Sequence, residues 1–103
     1  MAWAIIWTQT AWNDLEAVAD YISKDSPRYA ASFVREIRDA SRSLNTLAFR
    51  GRVVPEFDDD TNVRELFIKS YRLIYQVTAR QIYILGLIHG ARDLRALWKK
   101  ENR

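Results

Sequence analysis

The chain has 103 residues, enough for one domain, and 49% of them are hydrophobic and 13% aromatic, so a packed core is within reach and global disorder is excluded. It has no cysteine and a single histidine, which rules out disulfides, thiolate zinc sites and histidine clusters, fits a reducing compartment, and leaves carboxylates and water to hold any metal. The net charge of +3 divides unevenly, −1 over residues 1–49 and +4 over residues 50–103, so the second half favours an anionic partner.

In chain order, "AWAIIWT" (2–8) is β-branched and aromatic and reads as a strand. It is too short to span a bilayer and has no basic region before it, so neither a signal peptide nor a membrane helix is expected and a cytoplasmic location is. Thr10 is a candidate cap for a first helix, in which Ala11, Leu15, Val18, Ala19 and Ile22 recur at helical spacing. "KDSPR" (24–28) ends that helix and opens another, with Ser26 as cap and Pro27 at the first helical position. The second stripe is Ala30, Phe33, Val34, Ile37, Ser41 and Leu44. Two amphipathic helices with a short joint make an αα-hairpin that needs a sheet or partner to cover it.

Residues 48–62 read as a loop with Gly51, Pro55 and the acidic run Asp58, Asp59, Asp60, taken as solvated rather than metal-binding. Three strand-like runs follow: 63–68, 71–78 and 81–89. Their two-residue connections, Lys69-Ser70 and Ala79-Arg80, permit only an antiparallel meander. "ARDLRALWKK" (91–100) reads as a short C-terminal helix anchored by Leu94, Leu97 and Trp98. The order β-α-α-β-β-β, with that last helix, predicts a single α+β domain over 1–103, two-layered, with the hairpin on one face of a mainly antiparallel sheet.

Glycine-rich phosphate loops and serine-triad motifs are absent. His89 is the one side chain whose ordinary pKa, about 6.5, suits proton transfer at neutral pH. RNA cleavage needs a base, an acid and donors to the phosphorane, and His89 with Arg72, Arg92 and Tyr71 or Tyr75 would supply them. Against this, His89 at a strand end is equally a structural residue. Alternation along 71–78 sends Tyr71, Leu73, Tyr75 and Val77 to one face and Arg72, Ile74 and Gln76 to the other, so Arg72 points to the open face if the helices cover the first. There it would either bind phosphate or carboxylate bidentately or pair with an acid across the sheet. Trp12, Tyr21, Tyr29 and Phe33 on the hairpin suit the rim of a core or the anchors of a partner segment.

From Ile5 to Asp93 the pieces "IIWTQTAWNDLEAVADYISKDSPRYAASFVREI", "GRVVPEF", "RELFIKSYRLIYQV" and "IYILGLIHGARD" together resemble the ParE branch of the RelE/ParE toxin superfamily. The features that carry the likeness are Trp7-Thr8, Ala11, Asp14-Leu15 and Tyr21-Ile22, the Asp25-x-Pro27 turn, Gly51-Arg52, Arg64-Glu65-Leu66, Tyr71-Arg72 with Tyr75, and His89-x-x-Arg92. Ala48 departs from the family, which often places proline shortly before Gly-Arg.

The resemblance implies a RelE/ParE-like fold and a bacterial type II toxin without a cofactor, held inactive in a hetero-oligomer by a ParD-like antitoxin on Trp12, Tyr21, Tyr29 and Phe33. ParE-like toxins inhibit DNA gyrase, whereas RelE-like relatives cut mRNA on the ribosome. With one histidine and a His89-x-x-Arg92 pattern common in the ParE-like branch, docking on gyrase through Arg64, Arg72, Arg92, Arg95 and Trp98 is the expectation. Cleavage by His89, Arg72 and Arg92 is the alternative.

Overall fold

A computed structural model of the chain describes residues 2–101, with side chains as far as Lys99. The elements are β1 (Ala4–Trp7), α1 (Gln9–Ser23), α2 (Pro27–Ser43), β2 (Arg52–Val53), a 3₁₀ turn (Pro55–Phe57), β3 (Val63–Ile68), β4 (Tyr71–Val77), β5 (Gln81–His89) and α3 (Leu94–Glu101). The five strands form one sheet in the order β1-β5-β4-β3-β2. The meander β3-β4-β5 is antiparallel, as its short connections require, two residues between β3 and β4 and three between β4 and β5, where β4 ends one residue before the expected Thr78; β1 joins its far side parallel to β5.

The cap of α1 is Thr8, two residues before the one expected. Its Oγ accepts the Ala11 N–H at 3.1 Å and donates to the Ile84 carbonyl at 3.0 Å, so one hydroxyl both starts the helix and ties it to β5. Thr10 lies inside the helix. At α2 the expected cap forms: Ser26 Oγ accepts the Tyr29 N–H at 3.1 Å, and Pro27 occupies the first turn, where its missing N–H costs nothing. Lys69 turns the β3–β4 hairpin with φ 56°, the left-handed region a glycine usually fills.

One face of the sheet, including Leu66, Leu73, Tyr75, Val77, Ile82 and Ile84, packs against Ala11, Leu15, Phe33, Ile37 and Leu44 of the hairpin and its exit. Each such aliphatic side chain contributes roughly 1.5–3 kcal/mol by leaving water. The opposite face, expected to be open, is covered as well. Leu94 and Leu97 of α3 close over Val54, Val63, Ile74 and Ile88, with Phe57, Leu85 and Trp98 at the margin. A register shift between Ile74 and Tyr75 against β5 lets Ile84 and Leu87 face the hairpin while Leu85 and Ile88 face α3. Beyond Ile84 the outer edge of β5 has no pairing with β1, and Asp14 Oδ2 accepts the Leu87 N–H there at 3.0 Å. A helix carboxylate thus stands in for a strand carbonyl.

Candidate functional site

The covered second face decides what Arg72 can do. Arg72 is 3% exposed, and each nitrogen of its guanidinium donates to a carboxylate. Nε donates to Glu65 Oε1 at 2.5 Å, and Nη1 and Nη2 grip both oxygens of Glu56 at 3.0 and 2.8 Å. Glu65, itself buried, takes Arg52 Nε on its other oxygen at 2.5 Å. Glu56 Oε2 also accepts the Leu94 N–H at 3.3 Å, at the start of α3, and Arg95 donates to the Glu56 carbonyl. The Arg72 guanidinium on Glu56 holds that carboxyl at about 2, against the usual 4.5. The same bond with Glu56, aided by Glu65, raises the Arg72 pKa further, so the cation is permanent. The expectation of an outward-facing Arg72 is therefore corrected: it joins β3, β4, the 3₁₀ turn and α3 from within.

Tyr75, a second candidate, is also internal. It has no exposed surface, and its Oη accepts the Gly51 N–H at 2.9 Å while burial raises its pKa. Gly51 is obligatory by proximity, because a Cβ there would lie 2.6 Å from both the Glu65 carbonyl oxygen and Tyr75 Oη. Arg64 donates to the carbonyls of Thr61 (3.0 Å), Phe49 (3.3 Å) and Gly51 (3.0 Å) and stacks 4.9 Å from the Phe49 ring centre, so it serves the loop before β2. Trp98 is half-buried and meets Phe57 edge-on at 5.5 Å.

What stays outside is His89, Arg92 and Arg95. His89 ends β5 opposite Tyr71, 5.5 Å between ring centres, and its Nδ1 accepts the Ala91 N–H at 3.2 Å. No carboxylate is bonded to its ring among the described residues. The structure does not gather His89, Arg72, Arg92 and Tyr75 into one solvent-facing group. A hollow of about 450 Å³ on this side is lined by Phe57, Trp98, Leu85 and Gln76 and carries Asp59 and Asp60, charges that repel phosphate. Among the described residues no three acidic or histidine side chains gather where they would hold a metal ion.

On the hairpin, Trp12, Tyr21 and Tyr29 are 51%, 68% and 45% exposed, and Trp12 stacks on Trp7 with 4.8 Å between ring centres. Phe33, expected beside them, is buried in the main core at 1% exposure and packs on Tyr71. The alternation of α2 explains this, since Phe33 shares its face with Ala30 and Ile37.

Comparison with known proteins places this geometry. A family model described as "ParE toxin of type II toxin-antitoxin system, parDE" matches residues 5–94. The chain belongs to the ParE toxin family. Among curated proteins it is 32% identical over 89 residues to Toxin RelE2 of Caulobacter vibrioides, covering 85% of this chain and 96% of that one. Among solved structures it resembles a chain of the chromosomal ParDE TA system from P. aeruginosa, with TM-score 0.68 and 25% identity over 85% of this chain and 96% of the other. It shares its fold with a chain of the toxin-antitoxin complex RelBE2 from Mycobacterium tuberculosis, with TM-score 0.58 and 22% identity over 86% and 99% of the two chains.

In this ParE-family chain the decisive residue that sequence reasoning missed is Glu56. It was grouped with the acidic loop, yet it is the acid that neutralises Arg72 and caps α3. The available signal was Arg72 itself, since an arginine inside an apolar strand demands a buried carboxylate partner. The acid across the sheet from Arg72 is Glu65, and it fills half of that role.

Proposed function

We propose that this ParE-family toxin acts by docking on DNA gyrase and that a ParD-like antitoxin neutralises it by covering the helical hairpin. The observation that supports docking over cleavage is the internal engagement of Arg72 by two carboxylates. A nuclease needs that cation facing the scissile phosphate, and here two carboxylates already hold it. With Tyr75 buried as well, Tyr71 is the one tyrosine of the expected set beside His89, and the Arg72 cation that cleavage would need is held by carboxylates instead. Of the expected contacts, Arg92 and Arg95 remain exposed for the target, while Arg64, Arg72 and Trp98 maintain the surface that presents them.

The toxin, freed of antitoxin, is expected to inhibit gyrase supercoiling or to trap cleaved DNA. Arg92→Ala with Arg95→Ala should weaken the effect while leaving the circular dichroism spectrum unchanged, and His89→Ala should retain it. Unaltered supercoiling together with new mRNA ends in a translating lysate, abolished by His89→Ala, would overturn the reading in favour of ribosome-dependent cleavage.

Both solved neighbours come from toxin–antitoxin systems. Three aromatic side chains left in water on one hairpin are suited to such a partner, because buried tryptophan and tyrosine carry much of the energy of protein interfaces. Trp12→Ala should weaken antitoxin binding by about 30-fold or more, the hot-spot threshold of about 2 kcal/mol, as read by calorimetry. Binding indifferent to Trp12, Tyr21 and Tyr29 alike would move the antitoxin elsewhere.

A further inference from the structure

The outer surface of the hairpin is grooved, and its two banks carry opposite charge. Two adjoining hollows of about 370 and 390 Å³ share Ala19 and Val34, and Ala30 and Ala31 extend the floor. Trp12 and Leu15 close one end, and Ser23 marks the other, toward the interhelical turn. On the α1 bank stand Glu16 and Asp20, and on the α2 bank Arg35 and Arg38. All four are exposed, and none takes part in an ion pair among the described residues. The wider helices repeat the contrast. α1 carries Asp14, Glu16 and Asp20 and no base, whereas α2 carries Arg28, Arg35, Arg38 and Arg42 against Glu36 and Asp39.

A helix lying along such a groove presents one flank to each bank. Turning it end for end, with the same face down, exchanges the flanks. A helix with acids on one flank and bases on the other is therefore matched at every pair in one direction and mismatched at every pair in the reverse. The width and floor suit small apolar side chains, and the charges add the pattern that a plain apolar groove lacks.

We propose that the groove receives an amphipathic antitoxin helix with a small apolar face, an acidic row toward Arg35 and Arg38 and a basic row toward Glu16 and Asp20, and that the opposed banks set the direction in which this helix lies. The inference rests on the antitoxin reading above and adds orientation and charge pattern to it. Each exposed pair is weak alone, but reversal converts attraction into repulsion at all of them, so direction is selected more strongly than affinity.

The test uses isotope-labelled toxin and three 18-residue helical peptides with the same Ala/Leu stripe and a nitroxide at the N-terminus. One has Glu on one flank and Lys on the other, the second has the flanks exchanged, and the third has Gln on both. The first two are expected to broaden toxin amides at opposite ends of the groove, near Trp12 for one and near Tyr29 for the other. The preference should be about tenfold at low salt and fall as screening increases. The Gln peptide should broaden both ends. Arg35→Gln with Arg38→Gln should cut the preference to about twofold without removing the Gln peptide's footprint. If both charged peptides broaden the same amides while still occupying the hairpin, the orientation rule is overturned and the antitoxin reading stands. If no peptide perturbs the hairpin at millimolar concentration, the groove is not a helix site and both fall.

Discussion

Replacing Glu56 by glutamine removes one charge from the centre of the ion network and keeps its shape. The carboxylate is 24% exposed and its pKa falls from the usual 4.5 to about 2 on folding. At about 1.4 kcal/mol per pH unit this is worth about 3 kcal/mol, and partial solvent screening trims it to about 2–3 kcal/mol. For a domain of this size Glu56→Gln should lower Tm at pH 7 by about 10–20 °C. The pH dependence carries a definite sign. Glu56 titrates lower in the folded than in the unfolded chain, so its contribution is complete above pH 4.5, declines as pH falls from 4.5 toward about 2, and is absent below that. Urea unfolding of both proteins, followed by tryptophan fluorescence at several pH values, should show the gap between them closing over that window. Because every other carboxylate is common to the two, the difference isolates Glu56. A gap under about 0.5 kcal/mol at pH 7, or one that does not narrow on acidification, would refute the claim that this carboxylate holds Arg72 and α3 in place.

Gly51→Ala should cost about 1–3 kcal/mol in chemical denaturation, because the new Cβ meets a β3 carbonyl oxygen that cannot yield without moving the strand; unchanged stability would contradict the close approach. Lys69→Gly should raise stability by about 0.5–1 kcal/mol by relieving the left-handed residue of the β3–β4 turn, and a loss of stability would show that the turn tolerates lysine without strain. Asp14→Ala should cost about 1–3 kcal/mol and speed hydrogen exchange at the Leu87 amide, which loses its acceptor, while Asp14→Asn should largely preserve both.

The parts of the fold written in periodicity and turn length were legible. Ala11, Leu15, Phe33 and Ile37 repeat at helical spacing and are buried, and the short connections dictated the meander. What periodicity does not encode was missed. The parallel placement of β1 beside β5 depends on which edge the hairpin leaves free, and β2 is two residues long, below any alternation signal. The α1 cap fell on Thr8 rather than Thr10 because the hydroxyl there gains a second bond, to a carbonyl 76 residues away in sequence. Phe33 belongs to the apolar stripe of α2 and is also an antitoxin contact by the family resemblance; its register with Ala30 and Ile37 decides for the core. Arg72 was read as facing solvent because the covering of the second face comes from α3 and the 3₁₀ turn, two short elements whose packing no local pattern specifies.

The covering of the second face also changes what surrounds the cations of residues 50–103. Arg72 is held internally by Glu65 and Glu56, Arg52 pairs with Glu65, and Arg64 and Arg95 donate to backbone carbonyls. In the near-neutral half Arg28, Arg35, Arg38 and Arg42 are exposed and without ion pairs among the described residues, on the helix side turned away from Phe33 and Ile37. A charge bound to a buried partner contributes a short-range dipole, whereas a lone exposed charge acts over a Debye length of about 8–10 Å. The potential a partner meets is therefore weighted toward cations that lack a carboxylate, and on the hairpin Arg35 and Arg38 stand on one bank of the groove with Glu16 and Asp20 on the other.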